Sequence, residues 1–169
     1  MNRLAVRNRL RRVPVNGRLL RAIAKAALAA IAPPARGTSA RSNHEVGIYL
    51  VGDRRITALN QRYLRHAGPT DVITFDYGPP ENAAPAERGL RGDIFIGLEV
   101  AHRQARVFRT SWQAETVRYM VHGLLHLSGH DDAQPAARRR MKRAENRLVR
   151  RLAARFDFSR LERPDKLRA

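Results

Sequence analysis

VHGLLHLSGHDD, Val121 to Asp132, holds three of the six histidines in a chain of 169 residues. His122 and His126 are four apart, a spacing that stacks two side chains on one face of an α-helix about one turn from each other. Val117, Met120, Val121, Leu124 and Leu125 lie on the opposite side, so the segment reads as a helix with an apolar inner face. Gly129 stands where a C-cap glycine ends a helix, and the chain can double back beyond it.

Two imidazoles on one face are the start of a metal site. A continuing helix would carry later residues away from the ion, so the third ligand must follow the glycine. Asp132, ten residues after the first histidine, suits that place; His130 is its rival, and Asp131 is a poorer candidate. Two neutral imidazoles and one carboxylate are a common catalytic zinc set that leaves a position for water. The chain has no cysteine, so histidines and carboxylates are the zinc donors it offers. The expected cofactor is one Zn2+, with other divalent transition metals compatible. Zinc lowers the pKa of its bound water towards about 7 and polarises a carbonyl or phosphoryl oxygen. No catalytic group is assigned beyond that metal-bound water. The plainer reading is a pair of polar surface histidines, with Asp131 and Asp132 favouring the N-terminus of the next helix.

Gly123 occupies the place where HExxH peptidases carry their general-base glutamate, so a peptidase reading lacks its base. A mid-helix glycine costs roughly 1 kcal/mol relative to alanine; here it is read as leaving room for a bulky substrate. Glu115 and Tyr119 lie on the histidine face. Glu115 is either a hydrogen-bond partner that orients a ligand imidazole from behind or a first-turn acid favoured by the helix dipole.

Outward from this segment, Thr110 and Gln113 form a capping-box pair that opens the helix. Upstream, residues 3–8, HEVGIYLV from His44, DVITFDY from Asp71 and GDIFIGL from Gly92 read as strands. Asn16 caps a helix with Leu20, Ile23, Ala27 and Ile31 on one face, stopped by Pro33 and Pro34. Asp53 caps another, carrying Ile56, Leu59, Tyr63 and Leu64, and Val100, Gln104, Val107 and Phe108 mark a third. Pro135 opens the last helix, with Ala137, Met141, Ala144, Leu148 and Leu152 inward. ARGTSARSN and GPPENAAPAERG read as loops. The expected fold is α+β: a small mixed sheet of about four strands with about five packed helices. The metal site lies at the end of a helix and in the loop after it. The chain reads as one domain, 1–169, with a basic segment to about 44, a metal-site core at about 45–155 and a basic tail at about 156–169.

The net charge is +18, and no acidic residue precedes Glu45. RRRMKR at 138–143 adds to the field. Such a charge attracts polyanions, and RNA or DNA is the expected partner. No apolar run is long enough for a bilayer and the N-terminus is no convincing signal peptide, so the expected compartment is the cytoplasm.

HGLLHLSGHDD resembles the signature HGxLHLxGyDH of the YbeY family, bacterial rRNA-maturation endoribonucleases. LNQRYLRHAGPTDVITFDY (59–77), RGDIFIGLEVAHRQA (91–105) and MKRAENRL (141–148) resemble three further family segments, in order. The resemblance implies a mixed sheet with surrounding helices, a zinc ion in a cleft, and a metal-dependent single-strand RNase acting in rRNA 3′-end processing and ribosome quality control. The family's third histidine falls on Asp132. Its arginine near the metal cleft, which helps hold RNA phosphate, falls on Leu64. Arg62 and Arg65 flank that gap, both turned well away from the Leu64 direction on a helix; either, or a residue elsewhere, is left to take the role. A non-catalytic, zinc-stabilised ribosome assembly factor that binds RNA is the alternative function. Thr70, Asp71 and Asp93 read as turn-capping or structural residues as readily as functional ones, and His44, His66 and His102 read as plain surface histidines.

Overall fold

The computed structural model describes residues 3–10, 12–32, 43–79 and 89–163. Pro33 and Pro34, most of the ARGTSARSN and GPPENAAPAERG loops and the last six residues of the basic tail lie outside them. The elements run β1 (Arg3–Asn8), α1 (Gly17–Ile31), β2 (Glu45–Val51), α2 (Asp53–Leu59) with a π-helical turn (Asn60–Leu64), β3 (Val72–Asp76), β4 (Arg91–Gly97), α3 (Leu98–Phe108), α4 (Trp112–Leu127), α5 (Pro135–Ala153) and a 3-10 turn (Phe158–Leu161). Among the described residues the result is the α+β architecture of four strands and five α-helices.

The sheet order is β1-β2-β4-β3. β1, β2 and β4 are parallel, and β3 runs antiparallel on the β4 edge. Period-2 alternation divides the faces. Leu4, Val46, Ile48, Leu50, Ile94 and Ile96 point into the main core, where α1, α4 and α5 pack. A smaller cluster of Val51, Ile56, Leu59 and Ile73 lies on the other face, with Tyr49, Phe75 and Phe95 packed against it. α4 buries eleven of its 16 residues, because it is wedged between the sheet and α1, α3 and α5. Among the described residues no helix is long and apolar enough to cross a membrane.

Local details differ from the sequence reading. The N-cap of α4 is Ser111, whose hydroxyl accepts from Ala114 N–H at 3.1 Å; Thr110 instead donates to Glu115 Oε1 at 2.6 Å. Gly52 holds the N-cap place of α2, and Asp53 begins the helix with its N–H on Glu99 Oε2. The helical run does not continue to Tyr63 and Leu64 as an inward stripe. The chain widens into the π turn at Asn60, whose side chain donates to Gly68 O at 2.9 Å, and Tyr63 and Leu64 are left exposed. Val107 and Phe108 also face outward; α3 buries Leu98, Val100, Ala101 and Ala105.

Candidate metal centre

The core face of α4 fixes its rotation, so His122 and His126 emerge together on the side facing α5 and the loop after Gly129. Their Nε2 atoms are 3.1 Å apart. Two nitrogens bound to one tetrahedral ion lie roughly 3.3 Å apart for bonds of about 2.0–2.1 Å. Gly129 adopts φ +90, a conformation that costs glycine little, and the chain turns back there. Asp132 then presents Oδ2 at 3.6 Å from His122 Nε2 and Oδ1 at 3.9 Å from His126 Nε2. One donor atom from each of these three residues lies within 4.8 Å of the others, and this is the one such cluster among the described residues. His130 is outside it: its Nδ1 lies 3.1 Å from Ser128 Oγ.

The hydrogen bonds behind the imidazoles test whether a cation suits this point. His126 Nδ1 lies 3.0 Å from the His130 carbonyl, which can only accept. His122 Nδ1 lies 3.1 Å from Glu145 Oε2. Burial alone would raise the Glu145 pKa, but hydrogen bonds from His122, Lys142 and Arg118 outweigh it and hold it at about 2. That carboxylate is ionised and also only accepts. Both Nδ1 atoms therefore carry the proton, and in the neutral imidazoles both Nε2 atoms are bare lone pairs pointed at each other beside a carboxylate. A metal ion held by both nitrogens relieves this arrangement, as does a proton shared between them. Burial, helped by the adjacent His122, lowers the His126 pKa below 6.5, with Asp132 opposing, which keeps that imidazole neutral near neutral pH.

Glu145 was not singled out in the sequence. Its signal was a charge on the inner stripe of α5, in register with Met141 and Val149; it is 3% exposed. It accepts from Arg118 Nη1 at 2.6 Å and from Lys142 Nζ at 2.9 Å. Glu115 is also buried but bonds Thr110 and lies 4.0 Å from Arg118 Nε; Glu145 is the acid on the His122 ring.

A cavity of about 530 Å³ adjoins this cluster, with His122, Asp132, Glu145, Gln104, Tyr119 and Phe108 among its walls. Its cationic lining residues are Arg118, Arg138 and Lys142; neither Arg62 nor Arg65 belongs to it. Arg62 instead lies over the Tyr63 ring at 5.3 Å, and Arg65 ends the π turn with φ 56. Thr70 and Asp71 reach the cavity rim while bonding each other and Val72 N–H.

Gly123 has a role other than substrate room. A Cβ there would sit 2.6 Å from Ile94 Cγ2 and 3.0 Å from Thr74 Oγ1, so the glycine lets α4 lie close on the sheet. Two of the other histidines are not surface residues. His44 is buried and its Nδ1 accepts from Leu90 N–H at 3.0 Å. His102 is partly buried and stacks on Trp112 at 4.8 Å between centroids. His66 is exposed.

Comparison with known proteins adds three findings. A family model described as Endoribonuclease YbeY matches residues 5–153. A protein named Endoribonuclease YbeY from Anaeromyxobacter sp. (strain Fw109-5) is 46% identical over 110 residues, 65% of this chain and 55% of that one, so the chain spans just over half the length of this relative. Another of that name, from Salinibacter ruber, is 37% identical over 117 residues, 68% of this chain and 73% of its own. The solution structure of a Thermotoga maritima protein shares the fold with a TM-score of 0.61 and 23% identity, over 100% of both chains.

Proposed function

The chain belongs to the Endoribonuclease YbeY family, and from that premise we propose that it is a metal-dependent, single-strand-specific endoribonuclease of rRNA 3′-end maturation and ribosome biogenesis or quality control. The observation that carries the reading is the meeting of two bare imidazole nitrogens and a carboxylate at one point beside a cavity. We assign to His122, His126 and Asp132 one Zn2+, a role another divalent transition metal also fits. When bound, the ion supplies a Lewis acid for a phosphoryl oxygen and lowers the pKa of a water molecule.

The chain's own residues do the remaining work. Glu145 holds the proton on His122 Nδ1 and fixes that ring; the His130 carbonyl does the same for His126. Arg118, Arg138 and Lys142 bring positive charge to the cavity wall for a phosphodiester. Arg62 and Arg65, off the cavity, would meet phosphates only away from the reacting group. The whole chain acts as one domain, in the cytoplasm, on RNA gathered by its net charge of +18. The packing of Gly123 on Ile94 leaves no place for a peptidase-type general base at that position.

The test uses protein purified without chelator or nickel resin, incubated with a 3′-extended rRNA fragment. The wild type is expected to cut it, and His126→Ala and Asp132→Ala to lose cutting while still binding RNA. Equal residual cutting by all three would mean contamination, and the chain would then be a non-catalytic, zinc-stabilised assembly factor. End-group analysis separates the routes, because a 2′,3′-cyclic phosphate excludes direct hydrolysis as the sole step.

A further inference from the structure

Among the described residues, the sheet face turned away from α1, α4 and α5 is only partly covered, and its side chains form ordered rows. Arg7, Tyr49, Phe95 and Ile73 lie side by side in register across the four strands, and Ala5, Gly47, Asp93 and Phe75 form the next row. Among the described residues, α2 packs at the Val51 end and the π turn reaches Phe75 through Tyr63. The aromatic rings touch in series: Tyr49 stacks on Phe95 at 4.9 Å and 16°, and Phe75 meets Phe95 and Tyr63 edge-on at 5.8 and 5.0 Å. Tyr77 and Tyr63 remain 56% and 52% exposed.

Between Tyr49 and Tyr77 is a recess of about 610 Å³, within the size range of small-molecule and cofactor sites. Gly47 lets the Tyr49 ring and Asp93 lie over it on the recess wall: a Cβ there would meet Asp93 and lie 2.7 Å from the Tyr49 ring. Asp93 lines the recess and accepts a hydrogen bond from the Tyr77 hydroxyl at 2.8 Å. The rim is basic. Arg3, Arg21 and Arg91 line the recess, and Arg7 stands exposed beside Tyr49. Glu45 pairs with Arg3 at 3.4 Å and Arg91 at 3.5 Å, but such exposed pairs are weak and open readily to another anion.

We propose that this face is a second binding surface that takes the bases of single-stranded RNA on Tyr49 and Tyr77 and their phosphates on the flanking arginines. The proposal rests on the RNA-acting reading above. Contiguous aromatic rings on a sheet, with cations at the edge, fit unpaired bases, which offer a π-face whatever their sequence. A duplex hides those faces. Asp93 adds an acceptor for an exocyclic amine. The recess and the metal-site cavity share no lining residue. They lie at opposite ends of β3, about 20 Å apart along the strand from Asp71 to Tyr77. The surface therefore holds RNA at a distance from the point of cutting, and a strand crossing the β3 edge reaches both.

Binding is measured by fluorescence anisotropy with a labelled, nuclease-resistant 2′-O-methyl single strand and with the matching duplex. Tyr49→Leu keeps the apolar bulk and removes the ring; Arg7→Gln changes an exposed residue and leaves the core alone. Each is expected to weaken single-strand binding by about five- to tenfold, with zinc content and duplex affinity unchanged. If Tyr49→Leu fails to fold, Arg7→Gln and crosslinking of an iodouracil-containing strand to Tyr49 or Tyr77 decide. Wild-type affinity in Arg7→Gln, with crosslinks confined to the metal cavity, overturns the second surface and leaves the RNA-acting reading standing. Absence of any single-strand binding by the wild type overturns both. Self-association that Tyr49→Leu abolishes, with RNA affinity unchanged, assigns the face to a second copy of the chain instead.

Discussion

Glu145 Oε2 lies 3.1 Å from His122 Nδ1, so an acid on α5 sets which nitrogen of a histidine on α4 is free. The same carboxylate holds Arg118 and Lys142. Glu145→Ala removes the acceptor and leaves two cations beside the ring. Divalent-cation affinity is expected to fall about 10–100-fold, read by competition with a chromophoric chelator. Unchanged affinity would show that His122 is oriented by its packing alone.

Asp132 and His130 compete for the third place, and the two make different predictions. Asp132 faces both Nε2 atoms, whereas His130 turns to Ser128. Asp132→Ala is expected to weaken zinc binding by at least about tenfold, and Asp132→His to restore much of it. His130→Ala leaves the affinity close to wild type. Calorimetric titration of the three variants checks this, and the reverse ranking would give the place to His130.

Gly123→Ala gains helix propensity, roughly 1 kcal/mol, but drives a methyl against Ile94 and Thr74. Such overpacking costs about 1–3 kcal/mol or more, and the contact with Ile94 is tight enough for the cost to win. The expected result is a melting midpoint lowered by several degrees, with single-strand RNA affinity unchanged. A midpoint at or above wild type would mean that α4 can lift from the sheet without loss.

His44 carries a pH prediction. Burial lowers its pKa below 6.5, and its Nδ1 accepts the Leu90 N–H. The unfolded chain takes up the proton first as pH falls below about 6.5, so this contribution is full above that value and is lost on acidification. Wild type should therefore lose more stability between pH 7 and pH 5 than His44→Gln, measured as the difference in urea midpoints. Parallel pH profiles would remove the assignment.

The cavity cations predict a salt signature. Each phosphate contact on a single strand contributes about 0.7 to the slope of log affinity against log salt. Lys142→Ala and Arg138→Ala should each reduce the slope by roughly that amount, while Arg65→Ala should leave it nearer the wild-type value, since Arg65 is off the cavity.

What the sequence made legible was local or periodic. The HxxxH spacing, Gly129 and Asp132 lie within one turn and its return, and the strands show in their β-branched runs. The contributions from distant segments were harder to read. Glu145 reaches His122 from 23 residues away, and only α5's rotation on α4 brings it there. Glu115, on the right face of α4, was a reasonable candidate but is captured by Thr110. Gly123 and His44 were misread for the same reason: neither reveals from its neighbours in sequence that a sheet residue or a backbone N–H will press against it. Tyr63 and Leu64 kept helical spacing, but the π turn at Asn60 shifted them outward.

The isolated bridge between Val15 and Glu162, reinforced by Asn16 N–H on the Leu161 carbonyl and Arg163 N–H on the Pro14 carbonyl, works as a buckle. A clasp joining segments so far apart makes closure of the fold a late event, since such long-range contacts form slowly. Asp132 and Glu145 both follow the helix that carries the two histidines. The candidate site is thus completed only once α5 has been made, and a fragment ending before α5 would lack the Glu145 acceptor on His122 Nδ1.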